Sequence, residues 1–379
     1  DKIKENDLDE EIGNILWQIL EDSANYSFNK SHSVSYAALA ASTVYLKFKY
    51  PQQFFLSLLK MSRHEPNPIE EISKIHKEMD LFNIKLLPPH LTRSNMDFSI
   101  EGDDIRFGLL SIKGISDKAV EKINDFKNEY SSKFQVFAAA KQSKLNVGVL
   151  SALIQAGALE GFKQSRSKVV LEAQLWNILH VREKKHAMHF ADRFNHDLVE
   201  ILKHLRSFQD EKGKVIISES RYETIKKKYL PYLEIYVKNS KSESFANWYY
   251  EKMLLGYTYN KTLKDIFSSK RSGLISVRSV NGLAERNRVV FIGQVDDCWK
   301  GKSRNGNKYY KMEVSDETAS TTVMIFNDRM DDCQSQNNGL PKKGQIVIVK
   351  GSTVDGAVFA NLIGVQDNKV YTKLSELKN

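Results

Sequence analysis

The period at which apolar residues recur changes along this chain, and that change limits its fold more than any other feature. Residues 8 to 22 carry Leu8, Ile12, Ile15, Leu16 and Ile19 at helical spacing. Over about the last hundred residues the apolar positions alternate instead, from Val289 to Val295, Tyr309 to Val314, Thr321 to Phe326 and Ile346 to Gly351. One hydrophobic pattern cannot serve both elements, so a helical region and a separate β domain must share the chain. Its 379 residues are enough for two or three domains, each burying its own core.

The helical region resolves into several segments. The 8 to 22 pattern predicts a core-facing helix with a charged outer side. The polar stretch Tyr26 to Ser33 leads into a helix from Val34 to Phe48, with Asn29, Ser31 and Ser33 as caps and Tyr50-Pro51 as its close. Pro51 starts another helix. Asn67-Pro68-Ile69-Glu70 reads as an N-cap, a first-turn proline and a capping-box glutamate ahead of Ile72, Ile75 and Met79. An extended segment from Asn83 runs into Pro88-Pro89, and Phe98, Ile100, Ile105 and Phe107 alternate about Gly102-Asp103 as a hairpin.

From Leu110 to Ile123 a tight turn at Gly114 precedes a helix with Ala119 and Ile123 on one face. This is the form of the second half of a helix-hairpin-helix, where backbone N–H groups at the helix start meet a DNA phosphate. Lys113, Gly114, Ser116 and Lys118 are its candidate DNA contacts, with Ser116 standing where the form usually has a second glycine. The alternative is an ordinary turn into a capped helix. Residues 165 to 250 read as helical and charged up to Phe208, then mixed. His186 and His189 are three apart, but no third ligand accompanies them, so they are read as surface and no metal site is assigned. Gln174-Leu175-Trp176-Asn177-Ile178-Leu179 has the flavour of a clamp-binding peptide and is better explained as a core stripe.

The alternating segments, with Arg304-Asn305-Gly306-Asn307 and Asp355-Gly356 as turns, favour five short strands in a small barrel of the OB type. Its first loop interleaves Trp299, Lys300, Lys302, Arg304, Lys308 and Tyr309 with Tyr310. Lysines meet backbone charge and each stacked base contributes ~1 to 3 kcal/mol, so the pattern suits single-stranded nucleic acid. One of Tyr309 and Tyr310 should point into the barrel.

Charge agrees with a polyanionic partner: 56 Lys and Arg face 47 Asp and Glu, giving +9 and a pI near 9.1. Cys298 and Cys333 are too few for a disulfide framework or a C-x-x-C metal site. No apolar run reaches the ~18 residues of a membrane span, and the opening Asp1-Lys2-Ile3-Lys4 is too polar for a signal peptide, so an intracellular chain is expected.

The run Phe28-Asn29-Lys30-Ser31-His32-Ser33-Val34-Ser35-Tyr36-Ala37, followed by Tyr45-Leu46-Lys47, Tyr50-Pro51 and Phe54, resembles the fingers signature of the bacterial C-family replicative polymerases, the alpha subunits of DNA polymerase III. Ile84-Lys85-Leu86-Leu87-Pro88-Pro89, Ile105-Arg106-Phe107-Gly108-Leu109, Ile112-Lys113-Gly114 and Leu150 to Ala158 follow in the family's order. Glu251 to Tyr257 is similar to the segment before its OB domain, and Gly293-Gln294-Val295, Asp316 and Val323-Met324-Ile325-Phe326 match that domain. Asn260 and Lys261 stand near the place of the family's His-Pro pair. Residues 182 to 245 match nothing in the family, although its internal clamp-binding peptide belongs between hairpin motif and OB domain. Lys outnumbers Arg three to one, which fits a phage or prophage version.

The resemblance implies a multidomain α+β chain: residues 1–82 the remainder of a helical fingers domain, 83–165 a small β element with the helix-hairpin-helix, 166–284 a divergent connector, and 285–379 the OB-fold. It places Lys30 and His32 near the triphosphate of an incoming dNTP, with lysine as a point charge and histidine as a hydrogen-bond donor. The family's catalytic aspartates hold two Mg²⁺ ions in a palm that precedes the fingers. Asp7-Leu8-Asp9 has the bare spacing without the flanking strand, so no catalytic residue, no metal and no cofactor is assigned to this chain, and alone it is expected to be inactive. Implied partners are primer-template duplex, single-stranded template, dNTP, a palm-bearing polymerase portion or subunit and a sliding clamp, in the cytoplasm of a bacterial or phage-infected cell. The second reading is a stand-alone DNA-binding accessory protein of replication; the Lys30 and His32 signature separates the two, since an accessory has no use for a triphosphate site.

Overall fold

Helical spacing becomes helix throughout the first two thirds of the computed structural model. It describes residues 9–379 apart from 28, 29, 160, 163, 270, 304, 305, 367, 373–375 and 377–379, and gives no side-chain detail at 10, 25–27, 30, 31 and 328. The chain divides into two units, Asp1–Ser57 and Leu58–Asn379.

The first unit holds α1 (Glu10–Ser27), α2 (Lys30–Lys49) and the beginning of α3 (Pro51–Ser62), with Pro51 at the helical start where its missing N–H costs nothing. Helix α2 begins at Lys30 rather than near Val34, so Ser31 and Ser33 lie inside it instead of capping it, and Asn29 lies outside the described residues. Serine and histidine each cost a helix under about 0.7 kcal/mol, too little to delay a 20-residue run. The stripe read as core-facing is not buried: Ile12 is 44 %, Ile15 53 % and Ile19 58 % exposed. Val34, Leu39 and Phe48 of α2 are exposed as well.

In the second unit α4 (Pro68–Met79) buries Ile72, Ile75 and Met79 as its periodicity predicts. The capping box does not form: the Asn67 amide donates to the Glu70 carboxylate at 3.0 Å, and no side chain caps the backbone. Strands β1 (Leu86–Leu87), β2 (Ser99–Glu101) and β3 (Asp104–Arg106) make a small sheet in which β3 pairs in parallel with β1 and antiparallel with β2. Arg106, 5 % exposed, fastens it by donating to both Glu101 oxygens and to the Pro88 carbonyl.

The helical body continues through α5 (Val120–Phe126), α6 (Lys133–Gln142), α7 (Val147–Gln155), α8 (Arg166–Ile178), α9 (Val181–His189) and α10 (Leu198–Leu205). On α8 Leu175 and Trp176 are buried, which fits the core-stripe reading of Gln174 to Leu179. The stretch read as mixed contains α11 (Glu219–Ser240), 22 residues with Pro231 inside. Helix α12 (Glu243–Leu255) follows and ends at Gly256, whose φ of +85° a side chain would strain. A Cβ there would lie 2.4 Å from the Ile69 carbonyl oxygen, so α12 closes directly against the start of α4. Short α13 (Leu263–Phe267) and α14 (Val277–Asn281) lead into the β domain.

There β4 (Arg288–Lys302), β5 (Lys308–Ser315), β6 (Ser320–Phe326), β7 (Ile346–Val354) and β8 (Ala357–Gln366) close as β4-β5-β6-β8-β7, with β7 returning to β4 and only β6–β8 parallel. This is the five-stranded OB-fold topology. Helix α15 (Asn327–Gln336) bridges β6 and β7. Val289, Phe291, Met312, Val323, Val347 and Val358 fill the barrel, and Val277 and Val280 of α14 pack against that core. Each such side chain contributes roughly 1.5 to 3 kcal/mol on full burial. Among the described residues no helix is long and apolar enough to cross a membrane.

Candidate nucleic-acid interface

Alternation along β5 divides its side chains cleanly. Tyr310, Met312 and Val314 point into the barrel, while Tyr309, Lys311 and Glu313 stay on its outer side. Tyr310 is the inward tyrosine, 5 % exposed, with its hydroxyl donating to the Pro341 carbonyl and its pKa pushed up by burial. Tyr309 is left outside.

Strand register then assembles an outer face that sequence spacing alone does not reveal. Trp299 on β4 pairs with Lys311 on β5, Lys311 with Met324 on β6, and Met324 with Phe359 on β8. In the neighbouring row Gly301 pairs with Tyr309 and Tyr309 with Phe326. The Lys311 ammonium lies 4.8 Å from the Trp299 ring centre, a cation–π distance. Tyr309 and Phe326 are 6.2 Å apart between ring centres, and Phe326 and Phe359 5.2 Å. Gly301 makes room for this: a Cβ there would come within 2.3 Å of the Tyr309 ring. Four aromatic rings, one methionine and one lysine therefore share a continuous outer surface over four strands.

The basic residues read as a loop are mostly strand. β4 runs unbroken to Lys302, which pairs with Lys308 at the start of β5. Lys300, Lys302 and Lys308 are exposed on this hairpin, and Trp299 is 39 % exposed beside them. Arg304 lies outside the described residues. Phe326 and Phe359 were missed because an aromatic at an alternate strand position reads equally well as core. The Tyr309–Phe326 pairing across β5 and β6 was the available signal; Phe359 needed the non-local parallel pairing.

The turn at Gly114 has φ +92° and open space around it. Lys113, Gly114, Ser116 and Lys118 are all exposed, while Ile112, Ile115, Ala119 and Ile123 anchor the turn in the core. A 3₁₀ turn, Asp117–Ala119, intervenes before α5, so the following helix starts later than expected, and the Ser116 hydroxyl makes no capping bond. Arg63 pairs with Asp117 at 2.7 Å. The Lys113 N–H donates to the Leu254 carbonyl at 2.9 Å, tying the turn to the end of α12.

Lys30 is the first residue of α2 and its side chain is not described; His32 is exposed, with its ring 4.4 Å from that of Tyr36. Two positions apart on a helix, they lie about 200° around the axis from each other. His186 and His189 of α9 gain no ligand partner: among the described residues no group of three or more His, Cys, Asp and Glu could hold a metal ion. Asn260, in the place of the family's His-Pro pair, donates to buried Glu251, which also accepts from Arg166 at 2.8 Å and from the Tyr259 N–H at 3.0 Å.

Comparison with known proteins bears out the resemblance. A helix-hairpin-helix motif model matches residues 83–169. The DNA polymerase III alpha subunit of Campylobacter jejuni is 27 % identical over 328 residues, 84 % of this chain and 25 % of that one. That of Escherichia coli is 25 % identical over 358 residues, 92 % of this chain and 28 % of that one. That of Deinococcus radiodurans reaches 37 % over 163 residues, 42 % of this chain and 12 % of its own. The chain thus spans about a quarter or less of the length of the first curated relatives it matches. A crystal structure of a mitochondrial single-stranded DNA-binding protein of S. cerevisiae overlaps 23 % of this chain and 100 % of its own at 16 % identity, with a TM-score of 0.20, too low to support an argument.

Proposed function

We propose that this chain is the fingers-to-OB part of a C-family replicative DNA polymerase, which holds DNA and incoming nucleotide for a palm located outside it. The observation that carries this reading is the outer barrel face: Trp299, Tyr309, Phe326 and Phe359 offer stacking surface for successive bases, Lys311 offers charge on the same face, and Lys300, Lys302 and Lys308, on the other side of the β4–β5 hairpin, offer further charge for the phosphates. Arg304 is assigned the same role. The exposed turn at Lys113, Gly114, Ser116 and Lys118 is assigned to the duplex backbone. Lys30 and His32 are assigned to dNTP phosphates.

The exposed apolar residues of α1 and α2 support a palm-bearing portion as the neighbour that covers them, since a stripe of Ile12, Ile15, Leu16 and Trp17 is an unusual surface for a monomer. Nucleotidyl transfer would depend on Mg²⁺ held by that palm, and no step is assigned here to a metal. Primer extension tests the reading. The chain alone should bind primer-template without extending it, and addition of a palm-bearing alpha portion should restore extension. Lys30→Ala in the restored enzyme should raise the nucleotide KM or lower kcat while sparing DNA affinity. Extension by the chain alone would overturn the assignment of catalysis to a separate palm.

A further inference from the structure

Between the helical body and the barrel lies a cleft of about 570 Å³. Lys77 of α4, Lys113 of the Gly114 turn, Lys252 of α12 and Lys343 ahead of β7 all line it. The nearby carboxylates are largely engaged by protein donors. Asp316 accepts from the N–H groups of Val277, Thr318 and Ala319 and from the Thr318 hydroxyl. Glu317 accepts from the Trp248 indole and from the Leu263 N–H at 2.9 Å. Glu70 is paired with Lys74 at 3.5 Å. The lining therefore carries five lysines, Lys74 among them, against the four carboxylates Glu70, Asp296, Asp316 and Glu317, and Lys77, Lys113, Lys252 and Lys343 make no side-chain hydrogen bond or ion pair among the described residues.

One of these groups points to an absent ligand. Lys252 is half-buried over the Trp248 ring, 5.4 Å from its centre, and burial pulls its pKa down. Desolvating an ammonium group without a hydrogen-bonded counter-charge is costly, so the site favours an incoming anion. The ammonium groups form a set of donors, which fits an oxyanion rich in acceptor oxygens. The volume exceeds what one phosphate needs and suits several in a row.

We propose that this cleft binds phosphate oxyanions, specifically consecutive phosphodiesters of a nucleic-acid strand passing from the Gly114 turn to the barrel. The choice of a strand as ligand rests on the DNA-binding reading above, whereas the oxyanion chemistry does not. Lys252 supplies the central charge and Lys77, Lys113 and Lys343 the flanking charges.

The test is acylation of Lys252 in the unsubstituted chain by an amine-reactive reagent, read by mass spectrometry without ligand, with inorganic pyrophosphate and with an oligodeoxynucleotide. Trp299→Ala serves as a parallel arm that weakens binding on the barrel face without touching the cleft. Protection by both ligands, with Lys252→Met weakening both by about tenfold or more, supports the strand path. Protection by pyrophosphate alone assigns the cleft to free polyphosphate and overturns the strand path. Protection by neither ligand overturns the site altogether, even if Trp299→Ala shows that DNA binds elsewhere. Because acylation uses the unsubstituted chain, that outcome holds even should Lys252→Met fail to fold.

Discussion

Tyr309 and Tyr310 are adjacent in sequence and face opposite sides of one barrel wall, so substituting them should have opposite consequences. Tyr309→Ala removes a half-buried outer ring 6.2 Å from Phe326 and opens no core cavity. If each stacked base contributes ~1 to 3 kcal/mol, single-strand affinity should fall roughly 5- to 150-fold while stability changes by less than about 1 kcal/mol. Tyr310→Ala empties a core position and frees the Pro341 carbonyl, and should cost about 3 to 5 kcal/mol of stability. Tyr310→Phe deletes only the hydroxyl; it should cost about 1 to 3 kcal/mol and leave DNA affinity unchanged. Fluorescence anisotropy with a labelled oligonucleotide and urea unfolding separate the two readouts. Should Tyr309→Ala bind within twofold of the unsubstituted chain, or Tyr310→Phe bind weakly while equally stable, the assignment of the outer face would be wrong.

Three further outcomes are expected. Replacing Lys300, Lys302 and Lys308 together by Gln should reduce the slope of log affinity against log salt by about 2, since each phosphate contact on a single strand contributes about 0.7; an unchanged slope would place the hairpin off the DNA. Gly256→Ala puts a Cβ 2.4 Å from the Ile69 carbonyl oxygen at φ +85° and should cost about 2 to 3 kcal/mol in urea unfolding, with a loss under about 0.5 kcal/mol refuting the close approach. The Arg106 guanidinium, by hydrogen bonding, holds the Glu101 carboxyl at about 2, below its ordinary 4.5. This lowered pKa contributes stability in full above the ordinary value and loses it as pH falls through 2, so the melting-temperature gap between the unsubstituted chain and Arg106→Met should narrow over that acid range. A constant gap would remove the ion pair from the account.

What the sequence disclosed depended on how local the deciding interaction was. Helix α4 and the barrel strands were legible because their own alternation or helical spacing matches a buried face. Helix α15 was not, because Asn327 to Gln336 is polar except for Met330 and Cys333, which meet the barrel three residues apart. Helix α11 was obscured by Pro231, a residue that usually ends helices. The α1 stripe was read correctly as amphipathic but incorrectly as covered, since periodicity reports a face in need of burial and not what buries it. The outer barrel face was half legible: Trp299 and Tyr309 stood out beside lysines, whereas Phe326 and Phe359 joined them only through register.

Helix α12 gives these separate surfaces a fixed geometry. Trp248, buried at 2 %, donates its indole N–H to Glu317 in the β5–β6 turn, so the barrel is anchored at mid-helix. Six residues later the Leu254 carbonyl accepts the Lys113 N–H, so the Gly114 turn is anchored at the helix end. Those anchors are separated by about 9 Å of helix axis, since each residue adds 1.5 Å. The side chain at Asn239 adds a second attachment by accepting from and donating to the Tyr371 backbone beyond β8, at 2.9 Å each. A flexible linker would leave the turn and barrel as two weak sites joined only by effective concentration. A helix that bonds to both holds them at one separation, and on the strand path proposed above Lys252, on that same helix, lies between the two.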